Sequence, residues 1–250
     1  MNFFQQKEDF QIVGATFKCD MGQLTLLRHG QSTWNLEDRF TGWIDVDLTE
    51  KGEQEARDAG KALLEAGITP DILHSSVLKR AIKTGEIALD AMGLNYIEVQ
   101  RHWRLNERHY GSLQGKNKEE TKERFSREQV RLWRRSFDTP PPELDVDDPT
   151  HPRHDRRYKN VAPELLPNTE CLKDVLERML PYYFDVMVPQ LKAGRSLLVA
   201  AHGNSLRALV MHLESLNSEE ILNFEIPNGQ PIVYSVDEDL NATRTHWLGR

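Results

Sequence analysis

Two histidines stand where short apolar runs stop. Leu27-Arg28-His29-Gly30 closes the run 24–27, and His202-Gly203-Asn204-Ser205 closes the run 196–201. Imidazole attacks phosphorus when a neighbour holds it neutral and oriented. Arg28 adds a planar fork of donors matched to phosphate. A helix opening at Asn204-Ser205 would offer free N–H groups and a dipole that favour an anion. Phosphoryl transfer rests largely on positioning and charge stabilisation, so two histidines and several arginines suffice without a metal. A single histidine at a strand end is more often structural; two His-Gly strand ends, one after arginine and one opening a helix, tip the balance to catalysis. His74, His102, His151, His154, His212 and His246 lack that context and read as structural or surface groups.

For both imidazoles to meet, their strands must be neighbours in an open parallel sheet, where ligands bind beyond the carboxyl ends. The rest of the chain supplies such a sheet. Thr49 is a candidate N-cap for a helix over 49–67, with Glu50 and Glu53 suiting the dipole and Ala56, Leu63 and Leu64 facing inward. A second strand follows at 71–74, then a helix capped by Ser75 or Ser76 and running to 91. A third strand is expected at 96–99, a helix over 168–193 interrupted near Pro181, and a terminal hairpin from 233–236 and 243–247. Strands alternating with helices imply an α/β fold: a three-layer sandwich, with a mainly parallel central sheet and helices on both faces. Residues 104–166 break the pattern. They hold Pro140-Pro141-Pro142 and a helical face of Phe125, Gln129, Leu132 and Trp133, and read as a helical and loop insertion over the active site. Residues 1–21 read as a loosely ordered N-terminal extension, and 22–250 as one domain.

Bulk composition narrows the partners. The 250 residues carry net charge −7, which argues against nucleic acid or an anionic membrane. Arg101, Arg104, Arg108, Arg124, Arg127, Arg131, Arg134 and Arg135 nonetheless share one window. On charge alone that is a solvated helix face; as a basic site on an acidic protein, it suits a small polyanion. No run approaches the length of a membrane span. The opening MNFFQQKEDF places Lys7, Glu8 and Asp9 where a signal peptide needs apolar residues, and Cys19 and Cys171 build no disulfide framework. A cytoplasmic protein is expected.

The motif Leu27-Arg28-His29-Gly30 with a distant His202-Gly203 resembles the histidine phosphatase superfamily. Longer stretches resemble its phosphoglycerate mutase branch: Arg28-His29-Gly30-Gln31-Ser32-Thr33-Trp34-Asn35, Phe40-Thr41-Gly42-Trp43, Ser76-Val77-Leu78-Lys79-Arg80-Ala81, Leu105-Asn106-Glu107-Arg108-His109-Tyr110-Gly111, Leu113-Gln114-Gly115 with Lys118, and Trp133-Arg134-Arg135. The likeness runs from Leu24 to Gly249. It implies a catalytic set of His29 as nucleophile, Glu107 as general acid and base, and Arg28, Arg80 and His202 on the transferring phosphoryl group. Ser32, Asn35, Thr41, Gly42, Gly203 and Asn204 would add contacts in the same pocket. Arg108, Tyr110, Lys118, Arg134 and Arg135 would hold the carboxylate and second phosphate, with His109 in the same motif. The arginine window thereby becomes a lid and anion clamp.

The resemblance further implies interconversion of 3- and 2-phosphoglycerate, a step of glycolysis and gluconeogenesis. 2,3-Bisphosphoglycerate would be primer and intermediate, with no metal, and the enzyme a homodimer. A phosphatase of the same superfamily and a bisphosphoglycerate synthase share the chemistry and are the rivals. A binding module without activity would be expected to lack His29, Glu107 or His202, and all three are here. Three departures stand out, the first being the extension of about twenty residues before Leu24, which has no assigned role. Asn228 in Ile226-Pro227-Asn228-Gly229 stands where relatives often have threonine. The chain stops at Arg250, where many relatives continue into a tail over the site, so phosphohistidine hydrolysis is expected to rise.

Overall fold

The computed structural model describes residues 22–249; the extension expected over 1–21 lies outside them. Strand β1 (Gly22–Arg28) leads through the short helix α1 (Thr33–Leu36) to α2 (Glu50–Glu65), β2 (Ile72–Ser75), α3 (Lys79–Met92) and β3 (Glu98–Arg101). Helices α4 (Lys118–Phe125) and α5 (Arg127–Arg135) lie in the insertion. Beyond them come α6 (Leu172–Tyr182), α7 (Val188–Lys192), β4 (Ser196–Ala201), α8 (Gly203–Leu213), α9 (Ser218–Leu222), β5 (Pro231–Val236) and β6 (Ala242–Trp247).

The strands form one sheet in the order β3-β2-β4-β1-β5-β6. The first four run parallel, and β5 and β6 close the sheet as an antiparallel hairpin. Alternation along each strand sorts side chains between two cores. Leu24, Leu26, Leu197 and Val199 pack with α6 and α8, while Leu27, Leu73, Leu198 and Ala200 pack with α2 and α3. β1 and β4 are therefore apolar on both faces, as strands covered on both sides must be. The α/β expectation holds, with the parallel part of the sheet carrying both histidine strand ends.

Local expectations shifted where tertiary contacts outweighed local pattern. Thr49 caps α2 as expected, its side chain accepting from Gly52 N–H. Neither Ser75 nor Ser76 caps α3. Its N-cap is Leu78, while both serines are buried and Ser76 is drawn to His202. β3 begins two residues later than expected, leaving Tyr96 82% exposed. The insertion's helical face divides at Ser126, whose φ of 84° ends α4 and starts α5. Val130 and Trp133 form the inner face of α5, whereas Leu132 points outward and Phe125 belongs to α4. The interruption near Pro181 takes the form of a π-helical turn, Tyr183–Met187, joining α6 to α7. A proline there lacks the N–H its helix needs, and widening the next turn absorbs the mismatch.

His74 sits wholly buried in β2 between the Tyr182 hydroxyl (2.9 Å) and Gln190 Oε1 (2.7 Å). Burial pushes its pKa down to about 4, against a raising effect of the Gln190 bond. It is neutral in the native state and charges on unfolding. Its contribution is thus intact above the unfolded value of about 6.5 and is lost as pH falls toward the native value. Urea titrations between pH 6 and 4.5 should show wild-type stability falling more steeply than that of His74→Gln. The expected difference is about 1.4 kcal/mol per pH unit; parallel slopes would refute the assignment.

Candidate active site

Register brings the two histidines together. β1 and β4 pair in parallel with Arg28 opposite Ala201, and His29 N–H donates to the Ala201 carbonyl at 3.0 Å. The next residue on each strand is a histidine, and their ring centroids lie 5.1 Å apart at 62°. His29 Nδ1 is 2.7 Å from the Gly30 carbonyl. A carbonyl only accepts, so Nδ1 carries the ring proton and Nε2 keeps its lone pair. Burial, then Arg80 and then Arg28 hold the His29 pKa well below its ordinary value, so the ring is neutral at physiological pH. His202 is depressed likewise, by burial, Arg80, His29 and Arg28. Its Nε2 meets Ser76 Oγ at 2.8 Å, and its buried Nδ1 has no hydrogen-bond partner among the described residues.

The glycine after His29 is required by packing rather than by a turn. A Cβ on Gly30 would lie 2.0 Å from the Gly52 carbonyl oxygen, because the first turn of α2 presses on this loop. Gly30 N–H donates to Thr84 Oγ1, which in turn donates to the Arg80 carbonyl, tying the loop to α3. A Cβ on Gly203 would lie 3.4 Å from the Arg28 guanidinium. At Gly30 the backbone thus packs closely against the protein's own helix.

A cavity of about 280 Å³ opens above the histidines. Arg28, His29, Arg80, Glu107, Gly203 and Asn204 form its floor. Arg28 Nη1 donates to the Ile226 carbonyl (2.6 Å), and Arg80 donates to the carbonyls of Ile44 (3.0 Å) and Gly42 (2.8 Å). The Nε of each arginine is buried without a partner. Such orphaned cationic donors are costly unless an anion meets them. Glu107 Oε1 accepts from the backbone N–H of Arg108 (2.8 Å) and of Asn204 (3.1 Å). One free N–H of α8 therefore serves Glu107, where the sequence suggested an anion from outside.

Asn35, Thr41, Gly42, Tyr110, Lys118, Arg134 and Arg135 line the walls. Gly42 has φ 56°, a left-handed conformation that suits glycine. Tyr110 OH accepts from Asn204 Nδ2 (3.1 Å) and Arg108 Nη2 (3.2 Å), leaving its own proton to donate. Lys118 pairs with Asp38 at 2.6 Å and Arg135 pairs with Glu225, while the Arg134 guanidinium has no hydrogen-bond or ion-pair partner among the described residues. Four expected site residues stand behind the lining. Ser32 is the buried N-cap of α1, in a reciprocal capping pair with Asn35. Arg108 is fully buried beneath Tyr110, its Nη2 on the Arg134 carbonyl at 2.6 Å. His109 packs its ring against Trp43, and His202 lies beside His29.

Five lining residues escaped the sequence reading: Arg39, Phe40, Arg207, Glu225 and Ile226. Arg207 follows Asn204 by three residues on α8, and its Nη1 donates to Asn204 Oδ1 at 3.0 Å. Helical spacing from Asn204 would have found it. Arg39 adjoins the Phe40-Thr41-Gly42-Trp43 motif, Phe40 opens it and Ile226 opens the turn that holds Asn228, while Glu225 carries no local signal. Asn228 holds the site through its amide, which donates to the His29 carbonyl at 2.6 Å. Among the described residues, no group of three or more His, Cys, Asp or Glu side chains is placed to hold a metal ion, and no helix is long and apolar enough to cross a membrane.

The sequence profile of the histidine phosphatase superfamily (branch 1) matches residues 24–148 and 145–247. The chain belongs to this superfamily. Its curated relatives include the 2,3-bisphosphoglycerate-dependent phosphoglycerate mutase of Thermobifida fusca, 56% identical over 90% of this chain and 91% of the relative. The mutase of the same name from Nitratidesulfovibrio vulgaris is also 56% identical, over 92% of each chain. Within the superfamily the chain falls in the phosphoglycerate mutase family. Among solved structures, a mycobacterial glucosyl-3-phosphoglycerate phosphatase superposes with TM-score 0.70 at 23% identity, covering 91% of this chain and 99% of its own. YhfR of Bacillus stearothermophilus gives 0.69 at 24% identity, covering 90% and 95%. At such identities these two share the fold.

The Gly30–Gly52 contact is open to test. Gly30→Ala should lower stability by about 1–3 kcal/mol through overpacking and displace His29 from His202. Denaturant midpoints and activity should fall together. An unchanged midpoint would show that the loop yields freely.

Proposed function

We propose that this chain interconverts 3-phosphoglycerate and 2-phosphoglycerate through a phosphohistidine at His29. The observation that carries the reading is a neutral His29 of fixed tautomer in a cavity that is cationic at both ends. A phosphoryl group on the floor would meet the orphaned donors of Arg28 and Arg80, and the far wall offers Lys118, Arg134 and Arg135 to a second phosphate and a carboxylate. Transfer to water would leave that far wall unemployed. The mutase names of relatives at 56% identity favour the same choice.

Each protein group has a role in the step. The Nε2 lone pair of His29 attacks phosphorus; a P–N bond forms as the bond from phosphorus to the glycerate oxygen breaks. Glu107, as the acid, returns a proton to that oxygen, and in the reverse direction its carboxylate takes the proton of the attacking hydroxyl. Arg28, Arg80 and the Nδ1–H of His202 hold the charge that spreads over the phosphoryl oxygens. For His202 this tautomer follows if Ser76 Oγ, which accepts from Leu78 N–H, donates its own proton to Nε2. Tyr110, oriented by Arg108, hydrogen-bonds the substrate with its free O–H. Ser32 and His109 act indirectly, Ser32 by placing Asn35 and His109 by shaping the wall behind Trp43. 2,3-Bisphosphoglycerate, when bound, supplies the phosphoryl group that primes His29, and the unpaired donors of the floor suit its charge. The cytoplasm and a homodimeric assembly belong to this reading on resemblance alone, as does the treatment of residues 22–250 as one catalytic unit.

Two substitutions test it. His29→Ala should abolish both mutase activity and acid-labile, base-stable labelling by phosphoryl-labelled 2,3-bisphosphoglycerate, while keeping a native circular dichroism spectrum. Equal labelling of variant and wild type would overturn the assignment. Glu107→Gln should lower kcat by about 10²–10⁴-fold, the usual worth of acid–base help, with KM nearly unchanged. Turnover within a few-fold of wild type would mean the proton travels by another route.

A further inference from the structure

Glu107 stands in an irregular stretch between a 3₁₀ turn at Trp103–Leu105 and another at Gly111–Leu113. No helix or strand fixes its main chain, yet proton transfer tolerates little misplacement of the carboxyl group. A buried ion pair does the fixing. Arg178 of α6 points into the stretch, with Nη1 donating to the Arg104 carbonyl (2.7 Å) and Nη2 reaching the carbonyls of Asn106 (3.2 Å) and Glu107 (3.3 Å). Its Nε and Nη2 grip the Glu170 carboxylate at 2.6 and 3.1 Å. Glu170 completes the clasp: its Oε2 accepts from His109 N–H (2.8 Å), and its N–H donates to the His109 carbonyl (2.9 Å). Trp43 Nε1 adds a bond to the Glu107 carbonyl at 2.6 Å, and the Arg178 guanidinium lies over the Trp43 ring at 5.5 Å.

The two charged side chains are only 6% and 3% exposed, and neither lines the cavity. A buried ion pair is weak support for stability, since an apolar pair of similar volume often does as well. What an apolar pair cannot supply is a rigid fork of donors aimed at the carbonyls of Arg104, Asn106 and Glu107, tied to a carboxylate that grips His109 beyond them. We propose that Arg178 and Glu170 are positioning residues for proton transfer: together they hold the 104–109 backbone so that the Glu107 carboxyl group meets the bridging oxygen of the substrate. This inference rests on the acid–base role of Glu107 proposed above.

The test separates positioning from folding. Replacing both partners, as Arg178→Met with Glu170→Gln, avoids stranding one buried charge and keeps an oxygen for His109 N–H. Two phosphoryl donors are then compared. Transfer from 3-phosphoglycerate chemistry needs a proton on the leaving oxygen, whereas p-nitrophenolate leaves p-nitrophenyl phosphate as a stable anion and needs none. In the double variant, kcat with 3-phosphoglycerate should fall about 10²-fold, the order set by a misplacement near 1 Å, with KM within threefold. The first-turnover burst of p-nitrophenolate, which reports transfer to His29, should stay within threefold of wild type. Equal losses with both donors, no loss with either, or a change in KM alone would overturn the proposal. Glu107→Gln measured alongside tells the two failures apart. If it retains turnover with 3-phosphoglycerate, the acid–base reading falls and the positioning role with it. If it loses turnover while the double variant keeps it, the positioning role falls alone.

Discussion

The site depends first on the parallel pairing of β1 with β4. Six successive residue pairs, ending at Arg28 opposite Ala201, set the register that delivers His29 and His202 to the same depth at the sheet's carboxyl edge. A slip of one residue would turn every side chain of one strand to the opposite face and send one imidazole into a core. Both strands resist that slip because both of their faces are apolar and filled, Leu24 and Leu26 on one side and Leu27 on the other. Catalytic geometry is thus held by hydrophobic packing well away from the reacting atoms.

On that scaffold the protein gathers cationic groups under conditions that oppose them. Burial lowers the pKa of Arg28 and brings that of Arg80 down to about 10, with Glu107 the largest opposing influence on each. The guanidiniums are steadied by main-chain carbonyls of the loops near Gly42 and Ile226, so their positions depend on loops that reach the site from distant parts of the chain. The same two arginines help keep His29 unprotonated. On the proposed function, one arrangement would therefore both keep the nucleophile neutral and prepare the electrostatic surroundings for the group it receives.

Much of this was legible in the chain. His29 and His202 could be found because each ends an apolar run, a signal that survives without knowledge of partners. The strands and α2 followed from period and capping. What escaped depends on contacts between residues far apart in sequence. Ser76 looked like a helix cap, but its hydroxyl serves His202, 126 positions away. The face ascribed to Phe125 and Leu132 failed because a single positive φ at Ser126 divides one apparent helix into two. Arg108 reads as a ligand-binding arginine in its motif, yet it is fully buried and acts on Tyr110 and the Arg134 carbonyl. Arg178 and Glu170 had no local signature, since their meaning lies in the carbonyls they reach.

On the proposed function, the ion pairs on the cavity's far wall would also govern which anions enter. Lys118 is held by Asp38 and Arg135 by Glu225, and these carboxylates are 50% and 64% exposed. The wall thus arrives at an encounter already neutralised in part by tethered counterions. Ligand uptake would then be an exchange, in which the newcomer displaces Asp38 or Glu225 into solvent that can hydrate either readily. A small monovalent anion merely replaces one carboxylate by another charge of the same size and gains little. On the proposed function, a compact acid bearing several charges would engage Lys118, Arg134 and Arg135 at once, its net gain growing with each charge it brings. Selectivity by valence would then follow from occupancy, without a pocket wall shaped to exclude the simple salts of the surrounding solution.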